Sequence, residues 1–575
     1  MNFEDTVKRS TSLVDKIGFN DAYLVFAVAL FIEESDLESL ASSALTEGGN
    51  DKKIDLIHFD KDARRIVFAQ GYIGTKKNDS APANKASDLN TACAWLLSGD
   101  TSTIPLKLRS IIEDCRTAIK AGEVDSIDLL YVHNLPTSIN VARELQTVED
   151  HLKKTLANDK VLVKTLEFGK DRLEHLLAAQ ESHIAVTAEI PFPAKIGITQ
   201  TGETWTAGVA TVSGEWINSL YNKYGDELYS ANYRSFLGTD GRRRVNSGIR
   251  ETIENTPGDF WAFNNGITIL TLDIIRTKST RGLEQTALRG ASVINGAQTT
   301  GSIGSVDATR VNLEEIRVLC RIIQCSDQET IAKIVRFNNT QNAITTWDQF
   351  SNDEEQKRLD EEFKEIGFSY SRKRGFCSVG DQIGIEQVLQ PLLAYHGKPR
   401  DAIRGKNQLF VQKPLYRNAF EGIKARHVLF VYALSRAVDN RRLDLKAKSK
   451  EGPLISIEER QMNLLRVLNF KAFFIAVIAN SLETIVGRPC DVRTVGFKPL
   501  AVLGNGVNEL AARWSPIVET FLPLLTAIVK PDEFFRDLTA NENYLEDVKG
   551  QMDGFLSATQ PAGKHAAFVE MITPE

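Results

Sequence analysis

Two segments about thirty residues apart end short apolar runs in the same way: Phe260-Trp-Ala-Phe-Asn-Asn-Gly-Ile-Thr-Ile-Leu270 and Ser292-Val-Ile-Asn-Gly-Ala-Gln-Thr-Thr300. Asn-Gly favours tight turns because both residues tolerate positive φ, so each segment reads as a strand, a turn and a polar cluster. Asn264, Asn265, Asn295, Gln298, Thr299 and Thr300 crowd amides and hydroxyls at these turns. An unpaired amide in a dry interior costs about 1–3 kcal/mol, so these groups must meet water, a ligand or each other. Two readings stay open. Either the adjacent loops build one binding site, or they are ordinary turns whose side chains cap the backbone and fix the fold.

The first third of the chain alternates helix and strand. Residues 21–46 carry apolar side chains at helical spacing (Leu24, Ala27, Leu30, Phe31, Leu37, Leu40) and contain the pair Glu33-Glu34. Gly48-Gly49-Asn50 is expected to stop that helix. Strand-like runs follow at 54–59 and 65–73, joined by the polar turn Asp60-Lys-Asp-Ala63, with the acid Asp55 at the start of the first. Gln70 and Tyr72, two apart on a strand, share a face. A strand at 127–134, a helix at 138–156 with Ser138 as N-cap and a strand at 161–168 complete an α/β sandwich to about residue 185. For His133, at a strand end, a structural hydrogen bond is favoured over a substrate contact.

Helix, hairpin and lone acid together resemble the PD-(D/E)xK nuclease core, especially its Mrr-like branch, whose lead-in here reads Gly48-Gly49-Asn50-Asp51-Lys52-Lys53-Ile54-Asp55. The resemblance implies Mg²⁺ as cofactor, with Asp55 as principal ligand, Gln70 in place of the second acid, and Glu34 as the helix carboxylate. In such enzymes the metal activates water and a lysine stabilises charge developing on phosphorus. Tyr72 occupies that lysine position, leaving Lys76 or Lys77 to reach in from the next turn. Three readings follow: an active nuclease, a nuclease scaffold without catalysis, or a surface hairpin.

In the middle, strands are expected at 186–193, 206–213 and 316–323, and helices at 214–224 and from about 328 onward. The ordered motifs here are Asn232-x-Arg-x-Phe-Leu-Gly238, Val245-Asn-x-x-Ile249, the two Asn-Gly segments and Asn339-x-Gln-Asn-x-Ile344, with Tyr370-Ser-Arg-Lys-Arg-Gly375 and Lys398-Pro-Arg-Asp-Ala402 beyond. Together they resemble the AIPR family, the abortive infection phage resistance proteins, over roughly 230 residues. The resemblance implies antiphage defence, often with a nuclease-like domain in front. On residue chemistry the favoured ligand is nucleic acid or a nucleotide, with DNA preferred to RNA. Arg321, Arg372 and Arg374 would hold phosphate, aromatics would stack on bases, and Asn338, Gln341 and Asn342 would read base edges or sugar hydroxyls. The run Gly241-Arg-Arg-Arg244 reads as a solvated loop.

From 381 onward the pattern is helical, with segments at 385–394, 425–438, 457–486 and 506–525, the last expected to break at Pro516. Asp439 to Gly452, rich in charge, reads as a linker. The expected organisation is an α/β nuclease-like domain (1–185), an α+β AIPR core (186–430) and a mainly helical C-terminal domain (431–575). Such a chain would act alone, as a homo-oligomer or with a defence-system partner.

At 575 residues one core is too small a description. A net charge of −6 excludes a uniformly basic coat but leaves room for a local basic groove. Six scattered cysteines without Cys-x-x-Cys spacing read as reduced thiols, and the start lacks signal-peptide character. The longest apolar run is far below the ~20 residues that span a bilayer, so the expectation is a cytoplasmic protein without a membrane partner.

Overall fold

The structure is a computed structural model that describes the chain except residues 1, 47–52, 76–79, 95–96, 98, 101–103, 157–160, 182–183, 185, 225–227, 231–248, 250, 279–283, 305, 307–310, 340–352, 373–381, 468, 532, 535–537, 539–540, 542, 560–563 and 574–575. It divides into two compact units: Met1–Lys170 together with Thr345–Glu575, and Asp171–Ile344. The expected tracts 1–185, 186–430 and 431–575 follow changes in sequence texture. Packing draws the lines differently and joins residues 345–430 to the two ends of the chain.

In the first unit, β1 (Leu56–Asp60) and β2 (Arg65–Tyr72) form the anticipated antiparallel hairpin. β2 continues parallel to β3 (Ser126–His133) and β3 to β4 (Leu162–Phe168), giving the order β1-β2-β3-β4. Parallel neighbours need long crossovers, and helices supply them. The helices Ala83–Cys93 and Ile139–Leu156 cover one face, where Ile57, Ile66, Phe68, Leu129 and Val163 meet Leu89, Val141 and Leu145. The Phe19–Ile32 helix covers the other, its Leu24 lying against Gly71. Ser138 is the expected N-cap, its Oγ accepting from Val141 N at 3.2 Å.

The helix expected over 21–46 is two. Phe19–Ile32 ends at Glu33, whose φ of 61° is left-handed, and Leu37–Ala44 begins after Asp36, whose carboxylate accepts from Ser39 N at 3.0 Å. An aspartate offered a free N–H three residues on makes a strong helix start, and the break follows.

The helical part of this unit is built on Ala425–Glu451, 27 residues long. The expected linker over 439–452 is therefore the end of a helix. Its charges have partners: Lys471 Nζ donates to Asp439 at 2.5 Å, and the buried Lys446 ammonium donates to the carbonyls of Ser42 and Leu45 at 2.8 and 2.7 Å. The 457–486 segment divides into Ser456–Arg466, Phe470–Asn480 and Leu482–Val486, while Val507–Ile528 runs unbroken through Pro516 and Pro523. Pro removes one backbone donor; here the burial of Trp514, Ile517, Phe521 and Leu525 along one face outweighs that loss. Phe470, Phe473 and Phe474 belong to the same core. Among the described residues no single helix is long and apolar enough to cross a membrane.

The second unit is a seven-stranded sheet in the order β5-β10-β8-β11-β7-β6, with β9 also on β10. Its strands are β5 (Val186–Phe192), β6 (Gly197–Thr201), β7 (Trp205–Ser213), β8 (Ile267–Thr271), β9 (Asp273–Lys278), β10 (Glu284–Asn295) and β11 (Arg317–Cys325). β8 and β11 are parallel and the other pairs antiparallel. Leu270, Ile294, Ile323 and Cys325 meet Ile331 and Val335 of the helix Gln328–Asn339 in one core. The helices Gly214–Tyr224 and Ala297–Gly304 are tied together by Asn218, whose Nδ2 donates to the carbonyls of Ile303 and Gly304 at 3.0 and 3.1 Å.

Candidate functional site

Asp55 precedes β1, and its backbone N–H donates to Ala69 O at 3.0 Å, extending the hairpin by one step. That step places it opposite Gln70. The Gln70 amide Nε2 and the Gly71 N–H both donate to Asp55 Oδ2, each at 2.8 Å. Gln70 is 6% exposed, and its Oε1 is buried without a hydrogen-bond partner among the described residues. A buried carbonyl oxygen left bare beside a carboxylate costs about 1–3 kcal/mol, and a hard cation is one way to satisfy it. Two oxygen ligands suit Mg²⁺, which keeps several waters and takes few protein groups. Among the described residues there is no group of three or more His, Cys, Asp and Glu placed to hold a metal.

Tyr72, in the lysine position of the nuclease pattern, packs against the apolar core beneath the sheet. Lys76 falls outside the described residues. Lys53, which the sequence reading passed over, pairs with Asp88 at 3.5 Å on the helix that packs against β2. Its position two residues before Asp55 was the available signal. Tyr131, which faces Gln70 across the ladder, has its phenol pushed up first by burial and then by Tyr72, Glu167 and Asp88. His133 is fully buried, with Nε2 at 3.1 Å from Glu167 Oε1, a structural hydrogen bond.

Glu34 stands in the turn between two helices, not on a helix. Its Oε1 accepts from Asp36 N at 3.0 Å and its Oε2 pairs with Lys406 at 3.0 Å. It lines a cavity of about 290 Å³ with His58, Asp60, Glu386 and Lys471, and neither Asp55 nor Gln70 lines that cavity.

In the second unit the two Asn-Gly turns meet. The first run is a single helical turn, Phe260–Phe263, rather than a strand, and β8 begins after Gly266. Both glycines have positive φ, 76° at Gly266 and 83° at Gly296. A Cβ on Gly266 would lie 2.2 Å from Leu319 O, and one on Gly296 would lie 2.5 Å from Gly266 O. The turns are thus packed backbone to backbone, as only glycine permits. Asn264 Oδ1 accepts from Gly266 N and from the Thr299 hydroxyl, both at 3.0 Å, so these two residues lock one turn to the other. Asn265, Asn295 and Gln298 make no side-chain hydrogen bond among the described residues. Asn295 faces Thr268 across the β10–β8 ladder, and Thr268 faces Arg321 across β8–β11. The Arg321 guanidinium donates to Thr268 Oγ1 at 3.3 Å and to Asn338 Oδ1. Asn295, Thr268, Arg321 and Asn338 therefore form a polar row across three strands and the end of a helix.

Gln341, Asn342 and Arg374 fall outside the described residues. Arg372 belongs to the other unit, where its Nε lies 3.6 Å from Asp360. Of the expected ligand residues, the row is assembled within the second unit, and Arg372 is paired with Asp360 within the first.

The geometry defines an α/β sheet with an acid–amide pair, alongside a separate mixed sheet carrying a polar row. Residues 229–495 match the family described as AIPR protein, a stretch that takes in both Asn-Gly turns, the row and the start of the helical part. No curated protein and no solved structure matches the chain.

Proposed function

We propose that this chain is an antiphage defence protein of the abortive-infection kind, in which the four-stranded sheet cleaves nucleic acid and the second unit recognises it. The AIPR match over 229–495 supports the defence role. The observation that carries the nuclease role is Gln70 Oε1, buried and without a partner among the described residues, beside a carboxylate that already accepts two hydrogen bonds.

Asp55 and Gln70 would hold Mg²⁺ through the carboxylate and the amide carbonyl oxygen. Bound there, the ion would lower the pKa of a water and offset charge on a phosphodiester. The chain's own part is to fix Asp55 through the Gly71 N–H and to hold the Gln70 side chain in place beneath the hairpin.

A second reading is a sensor on a nuclease scaffold without catalysis. Tyr72 favours it, because the usual lysine position is given to apolar packing. Plaque formation on cells making wild type or Asp55→Ala separates the two. Loss of protection in the variant supports the effector, and full protection supports the sensor.

A further inference from the structure

Within the second unit three cations are paired with carboxylates among the described residues. Arg289 pairs with Asp273 at 2.7 Å, Lys333 with Glu329 at 2.7 Å, and Arg317 with Glu314 at 4.0 Å. Arg321 differs. Its partners among the described residues are a hydroxyl and an amide oxygen, which orient the guanidinium without cancelling its charge. An oriented, uncompensated guanidinium at an exposed position is a receptor for an anion, and its planar fork matches phosphate.

The same unit exposes aromatic rings. Phe337, next to Asn338, is 63% exposed, and Trp261 and Phe263, on the turn that leads into Asn264, are 50% and 68% exposed. Both helices that carry these rings contact β11, the strand of Arg321. Exposed rings on either element, with Asn265, Asn295 and Gln298 lacking side-chain hydrogen bonds among the described residues, fit a ligand that has flat faces, polar edges and phosphates.

We propose that this surface binds single-stranded nucleic acid, its phosphate on Arg321 and its bases stacked on Phe337 and on Trp261 or Phe263. Single strands fit because their base faces are free to stack, whereas in a duplex those faces are already covered. The proposal rests on the reading of nucleic acid as ligand but not on the nuclease site.

The test uses the full-length Asp55→Ala chain in EDTA, so that neither metal nor cleavage enters. Fluorescein-labelled 15-nucleotide DNA and RNA strands and a 15-base-pair duplex are titrated by anisotropy at several salt concentrations. Single strands should bind more tightly than the duplex. Arg321→Gln should weaken them about tenfold and flatten the slope of log K against log salt by about 0.7, the value for one phosphate contact. Phe337→Ala should weaken them about tenfold and Phe337→Tyr should restore binding. Lys333→Gln, on the same helix but already paired, should leave binding unchanged. Equal affinity for the duplex, wild-type binding by both Arg321→Gln and Phe337→Ala, or no binding to any oligonucleotide would overturn the proposal. Cleavage at Asp55 without strand binding would sink this proposal alone, and binding without cleavage would sink only the nuclease.

Discussion

The Arg436 guanidinium lies 2.9 Å from Asp36 Oδ1 and 3.3 Å from Glu38 Oε2, joining the helix that follows the first turn of the α/β sandwich to the long Ala425–Glu451 helix. Tyr432 donates to Asp36 at 3.2 Å, and Lys16 pairs with Glu38 at 2.8 Å. Residues some 400 positions apart thus close one ionic network, which places both ends of the chain in one compact unit.

Removing one partner from a buried pair leaves the other charge uncompensated, at about 3–5 kcal/mol. Arg436→Ala should therefore unfold at markedly lower urea than wild type. Asp36→Asn combined with Arg436→Met should recover part of the loss. Equal midpoints for Arg436→Ala and wild type would show that the network contributes nothing.

The same network sets a pH dependence. Burial alone would raise both carboxyls, but Arg436, joined by Lys471 at Asp36 and by Lys16 at Glu38, holds both below their usual range. A depressed carboxylate stabilises the fold above its unfolded pKa of about 4, and that stability is lost as pH falls through the folded value. Thermal midpoints should drop below about pH 4, and Asp36→Asn should make that fall shallower. An unchanged acid limb in the variant would remove Asp36 from the account.

Gly266→Ala and Gly296→Ala each place a methyl against backbone at positive φ. Strain of this kind costs about 1–3 kcal/mol before the clash is counted, so both variants should destabilise the second unit. Limited proteolysis within 171–344 reports it, and a wild-type digestion pattern would mean that the turns can separate.

The polar cluster should divide by role. Asn264→Ala loses two hydrogen bonds and should cost about 1–2 kcal/mol. Asn295→Ala and Gln298→Ala should stay within ~0.5 kcal/mol of wild type yet bind nucleic acid more weakly. Early melting of the latter two would make them structural.

Much of this was legible locally. Alternation placed the β1–β2 hairpin, β3 and β4 within two residues, and Asn-Gly marked both turns, since these signals depend on neighbours alone. The helix break at Glu33 was signalled by Asp36 as a cap, but the apolar spacing continued across it. The 439–452 segment looked like a linker because its charges read as solvent-facing; Lys471 and the carbonyls that neutralise them are distant in sequence. The polar row was invisible for the same reason. Arg321 meets Thr268 through strand register, and no local pattern encodes register between strands more than fifty residues apart.

Cleavage of nucleic acid at the Asp55–Gln70 pair is tested most directly with the purified protein. Purified wild type and Asp55→Ala would be incubated with labelled single- and double-stranded DNA and RNA in Mg²⁺ or Mn²⁺. Wild type should yield products that disappear with EDTA and in Asp55→Ala. Equal cutting by the two proteins, or none on any substrate, would contradict cleavage at this pair.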